Sequence, residues 1–264
     1  MVALKLMAIP AVIWLASWAG RRWGHRASGM ISGFPVISGP LLLFVSLDAP
    51  REFVADTAWT TMSASPAVGV HCLVYAWLAR LTGGRRLDWA ICLAGAWAAY
   101  LAAALAFSAM GVHGAFGAAI AIGEMVLASA LMPRSDAKIG VPRIPATEIV
   151  VRMLAAMLIG AAVILGGETF GTRVSGILLA FPITASVLPV FTLALYGADA
   201  TARLLAGFVT GLIGFVSYFY AFAALVESAG PALACVAGIA ASLVAVSLVL
   251  GWQSRGRSHK PGTG

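Results

Sequence analysis

The chain has 264 residues, of which 61% are hydrophobic and only 10% are charged. Soluble domains carry roughly 25% charged residues, so this composition excludes an ordinary soluble protein and predicts an integral membrane protein. The net charge of +7 does not indicate a nucleic-acid partner, because the basic residues are grouped by loop, which is typical of membrane topology. Spanning β-strands would alternate in polarity; the apolar runs do not, so the sequence predicts an all-α fold in contact with membrane lipids.

The apolar runs predict nine spanning helices, since a bilayer core needs about 20 apolar residues per helix. The first run precedes the basic pair Arg21 and Arg22 instead of following it, so we interpret it as a retained helix and not as a cleaved signal peptide. In chain order the predicted spans are 2–20, 28–47, 57–81, 88–108, 111–132, 147–167, 174–196, 202–226 and 230–252.

The charged loops predict the topology. Loops that follow the first, third, fifth and ninth spans are basic, and the loops on the other side are mainly acidic. Because basic loops stay in the cytoplasm, we expect a multi-pass protein of the bacterial inner membrane, with the N-terminus outside and the C-terminus inside. The basic set is Arg21, Arg22, Arg26, Arg80, Arg85, Arg86, Arg134, Lys138, Arg143, Arg255, Arg257 and Lys260.

An internal repeat connects two distant segments. GHRASGMISGFPVISGPLLLF from Gly24 aligns without a gap with GTRVSGILLAFPITASVLPVF from Gly171, at an offset of 171 − 24 = 147, with eight identical positions. Chance would give about two. With five spans before the sixth, the second copy must point the opposite way, which predicts an inverted-topology repeat. The predicted parts are residues 1–110, the first repeat of four helices; 111–146, a connecting helix and cytoplasmic loop; 147–254, the second repeat; and 255–264, a disordered basic tail.

The repeated SG-x4-FP segment should break its helix. Proline removes a backbone donor and clashes with the preceding turn, so Gly33, Pro35, Gly39 and Pro40 are expected to kink or interrupt the second span, as Pro182 and Pro189 are for the seventh. Paired broken helices form midplane solute sites in many secondary transporters; alternatively, the motif only permits tight helix crossing. The candidate substrate-binding residues are Ser28, Gly29, Phe34 and Pro35 with Ser175, Gly176, Phe181 and Pro182.

Three charged residues are further candidates. Arg26 and Arg173 precede the two motif copies and could attract an anion at opposite entrances, or could anchor the helices at lipid headgroups. Glu124 lies near the middle of the fifth span, where a carboxyl group is costly. We interpret it as a proton-coupling residue, with a cation ligand and a structural hydrogen bond as the alternatives.

The remaining polar and small residues predict structure more than chemistry. His71 and His113 could join a proton path, but we interpret them as packing or interfacial residues. The three cysteines, Cys72, Cys92 and Cys235, are interpreted as packing residues, and neither set shows metal-ligand spacing. Gly207, Gly211 and Gly214 form a small-residue face for another backbone, while Thr57, Thr61 and Ser65 form a hydroxyl stripe that could line an aqueous path or bond to neighbouring helices. No catalytic motif is present, and no cofactor is expected.

The SG-x4-FP segment resembles that of bacterial inner-membrane proteins of about this size, a resemblance that implies no activity. In architecture the chain is similar to inverted-repeat secondary transporters. We therefore predict a secondary transporter of a small anionic or amphipathic solute, proton-coupled through Glu124, whose second and seventh helices approach each other at the midplane. The alternatives are a non-transporting scaffold or assembly subunit, which could be oligomeric, and a lipid flippase or lipid-handling protein.

Overall fold

A computed structural model describes residues 2–36, 38–82, 88–110, 114–134, 140, 144–169 and 181–258. All regular secondary structure within these ranges is helical. The helices, in chain order, are α1 (Val2–Trp23), α2 (His25–Gly33), α3 (Ser38–Asp48), α4 (Arg51–Thr82), α5 (Asp88–Met110), α6 (Gly114–Leu131), α7 (Ala146–Thr169), α8 (Ile183–Ala229) and α9 (Pro231–Ser258). The all-helical class predicted from composition is confirmed for these residues.

Among the described residues, five helices are long and apolar enough to cross a membrane: α4, α5, α6, α8 and α9. Helix α8 has 47 residues and would extend about 70 Å at about 1.5 Å per residue, more than twice the hydrocarbon thickness. Its backbone leaves the helical conformation at Gly197, with φ 80° and ψ −179°, a conformation that glycine adopts without steric cost. The kink separates the stretches predicted as the seventh and eighth spans.

The second predicted span is interrupted, as its composition indicated. Helix α2 ends at Gly33 and α3 begins at Ser38, and neither, at 9 and 11 residues, is long enough to cross a bilayer alone. The expectation for Pro40 was wrong, because Pro40 lies in the first turn of α3, where its missing N–H costs nothing. Pro189 does not interrupt its helix either, since α8 continues through this residue.

Helix α9 ends at Ser258, within the segment 255–264, and residues 259–264 lie outside the described residues. The disordered tail therefore stays a prediction.

Helix α2 packs against α8 through glycines on both helices. A Cβ at Gly29 would lie 2.8 Å from the backbone carbon of Leu204, and one at Gly207 would lie 2.9 Å from the backbone carbon of Arg26. Gly33 and Gly211 meet one helical turn further along. The small-residue face predicted at Gly207 and Gly211 is therefore confirmed, and its partner is the first SG-x4-FP helix.

Contacts between helix ends agree with the predicted arrangement of loops. Arg80 forms an ion pair with Asp199 at 3.0 Å, and both belong to ends predicted to be cytoplasmic. On the opposite side, the Arg51 guanidinium donates to the backbone oxygen of Glu227 at 3.2 Å. Helix ends that the alternating topology places together thus lie together in the fold.

Candidate functional site at the Phe–Pro turns

The break between α2 and α3 is a compact turn at Phe34–Val36, named here the first Phe–Pro turn. The Val36 N–H donates to the Phe34 carbonyl at 2.8 Å, and the Gly39 N–H donates to the Pro35 carbonyl at 2.9 Å. The first bond spans only two residues, the pattern of a γ-turn. The turn separates α2 from α3, and these two hydrogen bonds satisfy part of the backbone that the break leaves unpaired.

The second copy of the motif has the same hydrogen bonds. In this second Phe–Pro turn, Phe181–Ile183, the Ile183 N–H donates to the Phe181 carbonyl and the Ser186 N–H to the Pro182 carbonyl, both at 2.9 Å. Pro182 has φ −80° and ψ 69°, which is the conformation of the central residue of an inverse γ-turn. The donors recur at the offset of the sequence repeat, since 183 − 36 = 147 and 186 − 39 = 147.

The other predicted site residues of the second copy are Arg173, Ser175 and Gly176, which lie outside the described residues. Residues 174–180 of the seventh predicted span, which was expected to approach α2 at the midplane, also lie outside them, whereas residues 181–196 of that span are described. Within the described part of the chain, the close backbone partner of α2 is the stretch of α8 from Leu204 to Leu212, which belongs to the eighth predicted span and not to the seventh.

Aromatic rings fill the space beside the second Phe–Pro turn. The Phe181 ring lies 5.6 Å from the rings of both Trp97 and Tyr100 on α5, measured between centroids. The Trp97 indole N–H donates to Ser186 Oγ at 2.9 Å, and that hydroxyl donates to the Pro182 carbonyl at 2.8 Å. Helix α5 is thereby joined directly to the turn.

A cavity of about 250 Å³ lies beside the first Phe–Pro turn. Most of its wall is apolar, and the hydroxyls of Tyr218 and Ser242 and the thiol of Cys235 are its polar side-chain groups. The lining residues are Phe34, Pro35, Val36, Gly39, Tyr218, Cys235, Ile239, Ser242 and Leu243. Within the described residues, aromatic rings of α5 therefore lie beside the second turn, and this cavity borders the first turn.

The predicted site residues of the first copy divide between two roles. Phe34 and Pro35 line the cavity. Ser28 and Gly29 are buried in helix contacts instead, Ser28 against Gly20 of α1 and Gly29 against α8. Arg26 lies eight residues before Phe34, about 12 Å along the axis of α2, and is not among the cavity residues. The structure therefore brings Phe34 and Pro35 to the cavity without Ser28, Gly29 or Arg26.

Sequence reasoning missed the far wall of this cavity. Tyr218, Ser242 and Leu243 carry no motif, and Cys235 was interpreted as a packing residue. Its thiol instead accepts a hydrogen bond from the Tyr218 hydroxyl at 3.4 Å at the cavity wall. The repeat offset could have indicated that α9 lies beside the first turn as α5 lies beside the second. At this offset Ile239 and Ser242 on α9 correspond to Cys92 and Gly95 on α5 (239 − 92 = 147 and 242 − 95 = 147).

Glu124 faces the protein interior from α6. Its carboxyl group lies against Gly69 of α4, where any Cβ would overlap both carboxyl oxygens. Oxygen Oε2 is buried and has no hydrogen-bond partner within the described residues. A buried carboxyl oxygen without a donor is costly as an anion, so this arrangement favours a group that carries a proton.

The remaining polar candidates have structural contacts. His71 Nε2 lies 3.1 Å from the carbonyl oxygen of Ala185 and so ties α4 to α8 just after the second Phe–Pro turn. Thr57 and Thr61 donate to carbonyls four residues earlier in their own helix, and Ser65 to one three residues earlier. The hydroxyl stripe is thus bonded within α4, which neither sequence alternative anticipated. His113 lies outside the described residues.

A polar cluster joins the start of α2 to α7 and to the kink of α8. Arg152 is ion-paired with Glu148 and lies over the Phe191 ring, 5.5 Å from its centroid. The Tyr196 hydroxyl donates to Glu148 at 3.4 Å, and its ring lies 5.0 Å from that of His25. At the repeat offset Arg152 corresponds to Lys5 (152 − 5 = 147), a correspondence that does not indicate that the Arg152 side chain is buried.

The pH dependence of stability should report on His25, which lies in the connection between the first two predicted spans. Burial, with the positive charges of Arg152 and Arg203, lowers the pKa of His25 from 6.5 to about 4. The unfolded chain then binds more protons than the folded one below about pH 6.5, so stability falls as the pH drops toward 4, by roughly 2 kcal/mol. Thermal unfolding between pH 7.5 and 4.5 measures this loss.

The variant His25→Gln isolates that contribution, because glutamine keeps the polar volume and does not titrate. We expect a smaller loss of stability in acid for the variant than for the parent chain. An identical acid dependence in both would show that groups other than His25 cause it.

Comparison with known proteins assigns no family to the chain. Its function must therefore follow from the two turns, the cavity and Glu124. No protein-family model, no curated protein and no solved structure matches the chain.

Proposed function

We propose that the protein is a secondary transporter of a small amphipathic solute. In this proposal nine spans form two inverted repeats in a bacterial inner membrane, with the N-terminus outside and the C-terminus inside. The observation that carries the proposal is the pair of Phe–Pro turns, whose backbone hydrogen bonds recur at the offset of the sequence repeat. Broken helices in corresponding places of two repeats are the feature that transporters use to build a midplane site.

The helix boundaries support a repeat that extends beyond the motif. Helix α4 ends at Thr82 and α8 at Ala229, and 229 − 82 = 147. The break before α4, at residues 49–50, corresponds to the region of the kink at Gly197, since 197 − 50 = 147. In this proposal α6, which lies between the two repeats along the chain, is the connector that reverses the second repeat.

The different surroundings of the two turns support alternating access. Trp97 and Tyr100 pack against the second turn, while the first turn borders a cavity. Movement of one repeat against the other would exchange these surroundings and move the solute site from one side to the other. In this proposal Glu124, whose carboxyl group is buried against Gly69, takes up and releases the proton that drives the movement.

The cavity favours the amphipathic solute over the anionic one. Its wall residues include no charged side chain. Enclosing an anion among apolar groups without a cationic partner costs a large desolvation free energy. In this case Arg26, at the N-terminal end of α2, anchors the helix at lipid headgroups or attracts the solute before the solute enters the cavity.

The double variant Pro35→Ala with Pro182→Ala tests the turns. Alanine restores a backbone donor and the full freedom of φ, so both breaks should relax toward continuous helix. Proteoliposomes that contain a pH-sensitive dye would be given 1-octanol, octanoate or octyl phosphate, and proton flux recorded against protein-free vesicles. We expect solute-dependent flux with the parent chain and at least a tenfold lower rate with the variant.

If a correctly folded double variant kept the flux of the parent chain, the interpretation that the SG-x4-FP motif serves only helix packing would be favoured. Flux with none of the three probes would contradict transport of this solute class.

Lipid handling is the second candidate, because the cavity lies at the outer surface of the helices. Ile239 and Leu243 line it and are 51% and 56% exposed on the outside of α9. Rapid loss of fluorescence from inner-leaflet labelled phospholipid, after an impermeant reductant is added to proteoliposomes, would favour a flippase. If neither phospholipid movement between the leaflets nor solute-dependent proton flux is observed, the result would favour the scaffold interpretation.

A further inference from the structure

We propose that two contacts between helix ends are alternating gates, one at each side of the membrane. The inner contact is the ion pair between Arg80 and Asp199 at 3.0 Å. The outer contact is the hydrogen bond from Arg51 to the carbonyl oxygen of Glu227 at 3.2 Å. Both arginines lie on α4 and both partners on α8, so each contact joins the two proposed repeats. The proposal rests on the proposed function, because it names the contacts that open when the repeats move against each other.

The two contacts correspond to each other at the repeat offset. The counterpart of Arg80 is Glu227 (80 + 147 = 227), and the counterpart of Asp199 is Glu52 (199 − 147 = 52). A two-fold axis between inverted repeats turns a contact of residues i and j into one of residues i + 147 and j − 147. The inner contact therefore predicts an outer contact between residues 227 and 52, and the observed bond joins Glu227 to Arg51, one residue away.

A second pair of contacts corresponds in the same way near the Phe–Pro turns. His71 Nε2 on α4 lies 3.1 Å from the carbonyl oxygen of Ala185, just after the second turn. The counterpart of His71 is Tyr218 (71 + 147 = 218) on α8, and a Cβ at Gly39, just after the first turn, would lie 3.1 Å from the Tyr218 hydroxyl oxygen. Gly39 is one residue from the counterpart of Ala185 (185 − 147 = 38). These contacts are independent support for treating the two membrane faces as equivalent.

Each proposed gate lies next to a break in the helical backbone. Arg51 is the first residue of α4 and directly follows the break at residues 49–50. Asp199 follows the kink at Gly197 by two residues. Among the described residues, no atom lies within 4 Å of the position that a Cβ at Gly197 would take. Hinge movements are absorbed by a few residues at element ends, so both contacts lie where consecutive spans can turn relative to each other.

The inner contact has the strength that a reversible gate requires. The side chains of Arg80 and Asp199 are 32% and 47% exposed, so water replaces each partner when they separate. An exposed ion pair shifts an equilibrium by at most about fivefold, the equivalent of about 1 kcal/mol. Arg80 also donates to the carbonyl oxygen of Arg134, which follows α6. The inner end can therefore open at low cost, and the connecting helix is joined to the same contact.

Helix α4 couples the two gates. Arg51 and Arg80 are 29 residues apart in this one helix (80 − 51 = 29), which is about 43 Å along its axis and more than the thickness of about 30 Å of the hydrocarbon core. When a long helix tilts against its neighbour, one end approaches the neighbour and the other end moves away. The two contacts should therefore respond in opposite directions.

Hydrogen–deuterium exchange of the full chain in lipid nanodiscs tests the proposal without any solute. In the variant Arg80→Gln, amide exchange at the inner ends, residues 74–82 and 198–206, should rise about fivefold. Exchange at the outer ends, residues 51–58 and 222–229, should fall, because loss of the inner contact shifts the population toward the state with a closed outer end. Local fraying alone would raise exchange at the inner ends and leave the outer ends unchanged.

Arg51→Gln should give the reverse pattern, with faster exchange at the outer ends and slower exchange at the inner ends. The charge exchange Arg80→Glu with Asp199→Arg should return both ends toward the parent values. The matched control is Arg22→Gln, at an exposed arginine near the end of α1, which should change neither end. A faster inner end without a slower outer end would overturn the proposal, as would an equal effect of Arg22→Gln and Arg80→Gln.

Gating and transport can fail separately in this design. Opposite changes at the two ends without solute-dependent proton flux would keep the gates and contradict the transporter. Solute-dependent flux without opposite changes would keep the transporter and place its gates elsewhere.

Discussion

Gly29→Ala is expected to destabilise the folded protein by at least about 3 kcal/mol. The new Cβ would overlap the carbonyl oxygen of Leu204 and lie 2.9 Å from the Phe208 nitrogen. Both are backbone atoms of α8, so no side-chain rotation relieves the overlap and the two helices must separate. Overpacking of a core by side chains alone already costs about 1–3 kcal/mol, and separation also forfeits the close dispersion contacts along the crossing.

Thermal unfolding of the purified protein in detergent measures this effect, with Gly123→Ala as the matched control. Gly123 is exposed on α6, and nothing lies within 4 Å of its added Cβ, so alanine there should be neutral or slightly stabilising. Equal midpoints for Gly29→Ala and the parent chain would show that α2 does not pack on α8 in this way.

The second large effect is predicted for Glu124→Gln, which should abolish solute-dependent proton flux and leave the fold intact. Glutamine keeps the size of the side chain and its contact with Gly69, but it cannot exchange a proton. A neutral amide in this position also removes any penalty for burying a charge, so the variant should be at least as stable as the parent. Flux through pyranine-loaded proteoliposomes and a thermal melt give the two readouts.

Glu52→Gln is the matched control, because Glu52 is an exposed carboxyl group in the first turn of α4. Its substitution should leave flux within about twofold of the parent rate. Retained flux in Glu124→Gln would remove this carboxyl group from the coupling mechanism and favour a structural hydrogen bond.

Local chemistry determined much of what the sequence predicted correctly. Pro35 follows Phe34 in a run otherwise able to span a membrane, and the loss of one backbone donor is enough to end α2 near that point. Gly207 and Gly211 predicted that another helix backbone packs closely on α8, because a residue without a side chain leaves room for such an approach. The errors at Pro40 and Pro189 have a local cause too, since proline is tolerated in a first turn and can remain within a longer helix when its neighbours hold the helix together.

Tertiary contacts decided the candidate site. The sequence presents two nearly equivalent Phe–Pro segments, and nothing in either shows that the rings of Trp97 and Tyr100 lie beside Phe181 or that a cavity borders Phe34. That difference depends on which side chains α5 and α9 present at the two turns, and therefore on the packing of helices that lie far apart along the chain.

By itself, then, the sequence determined the helical membrane class, the repeated segment and the places where backbone hydrogen bonding must be interrupted, because composition, periodicity and proline act within a few residues. The tertiary structure alone decided that α2 lies on α8, that Glu124 lies over Gly69 and that Ser242 is buried without a partner among the described residues at the wall of a cavity. Each of these depends on atoms brought together from distant parts of the chain, where burial makes a missing side chain or an unsatisfied hydroxyl energetically significant.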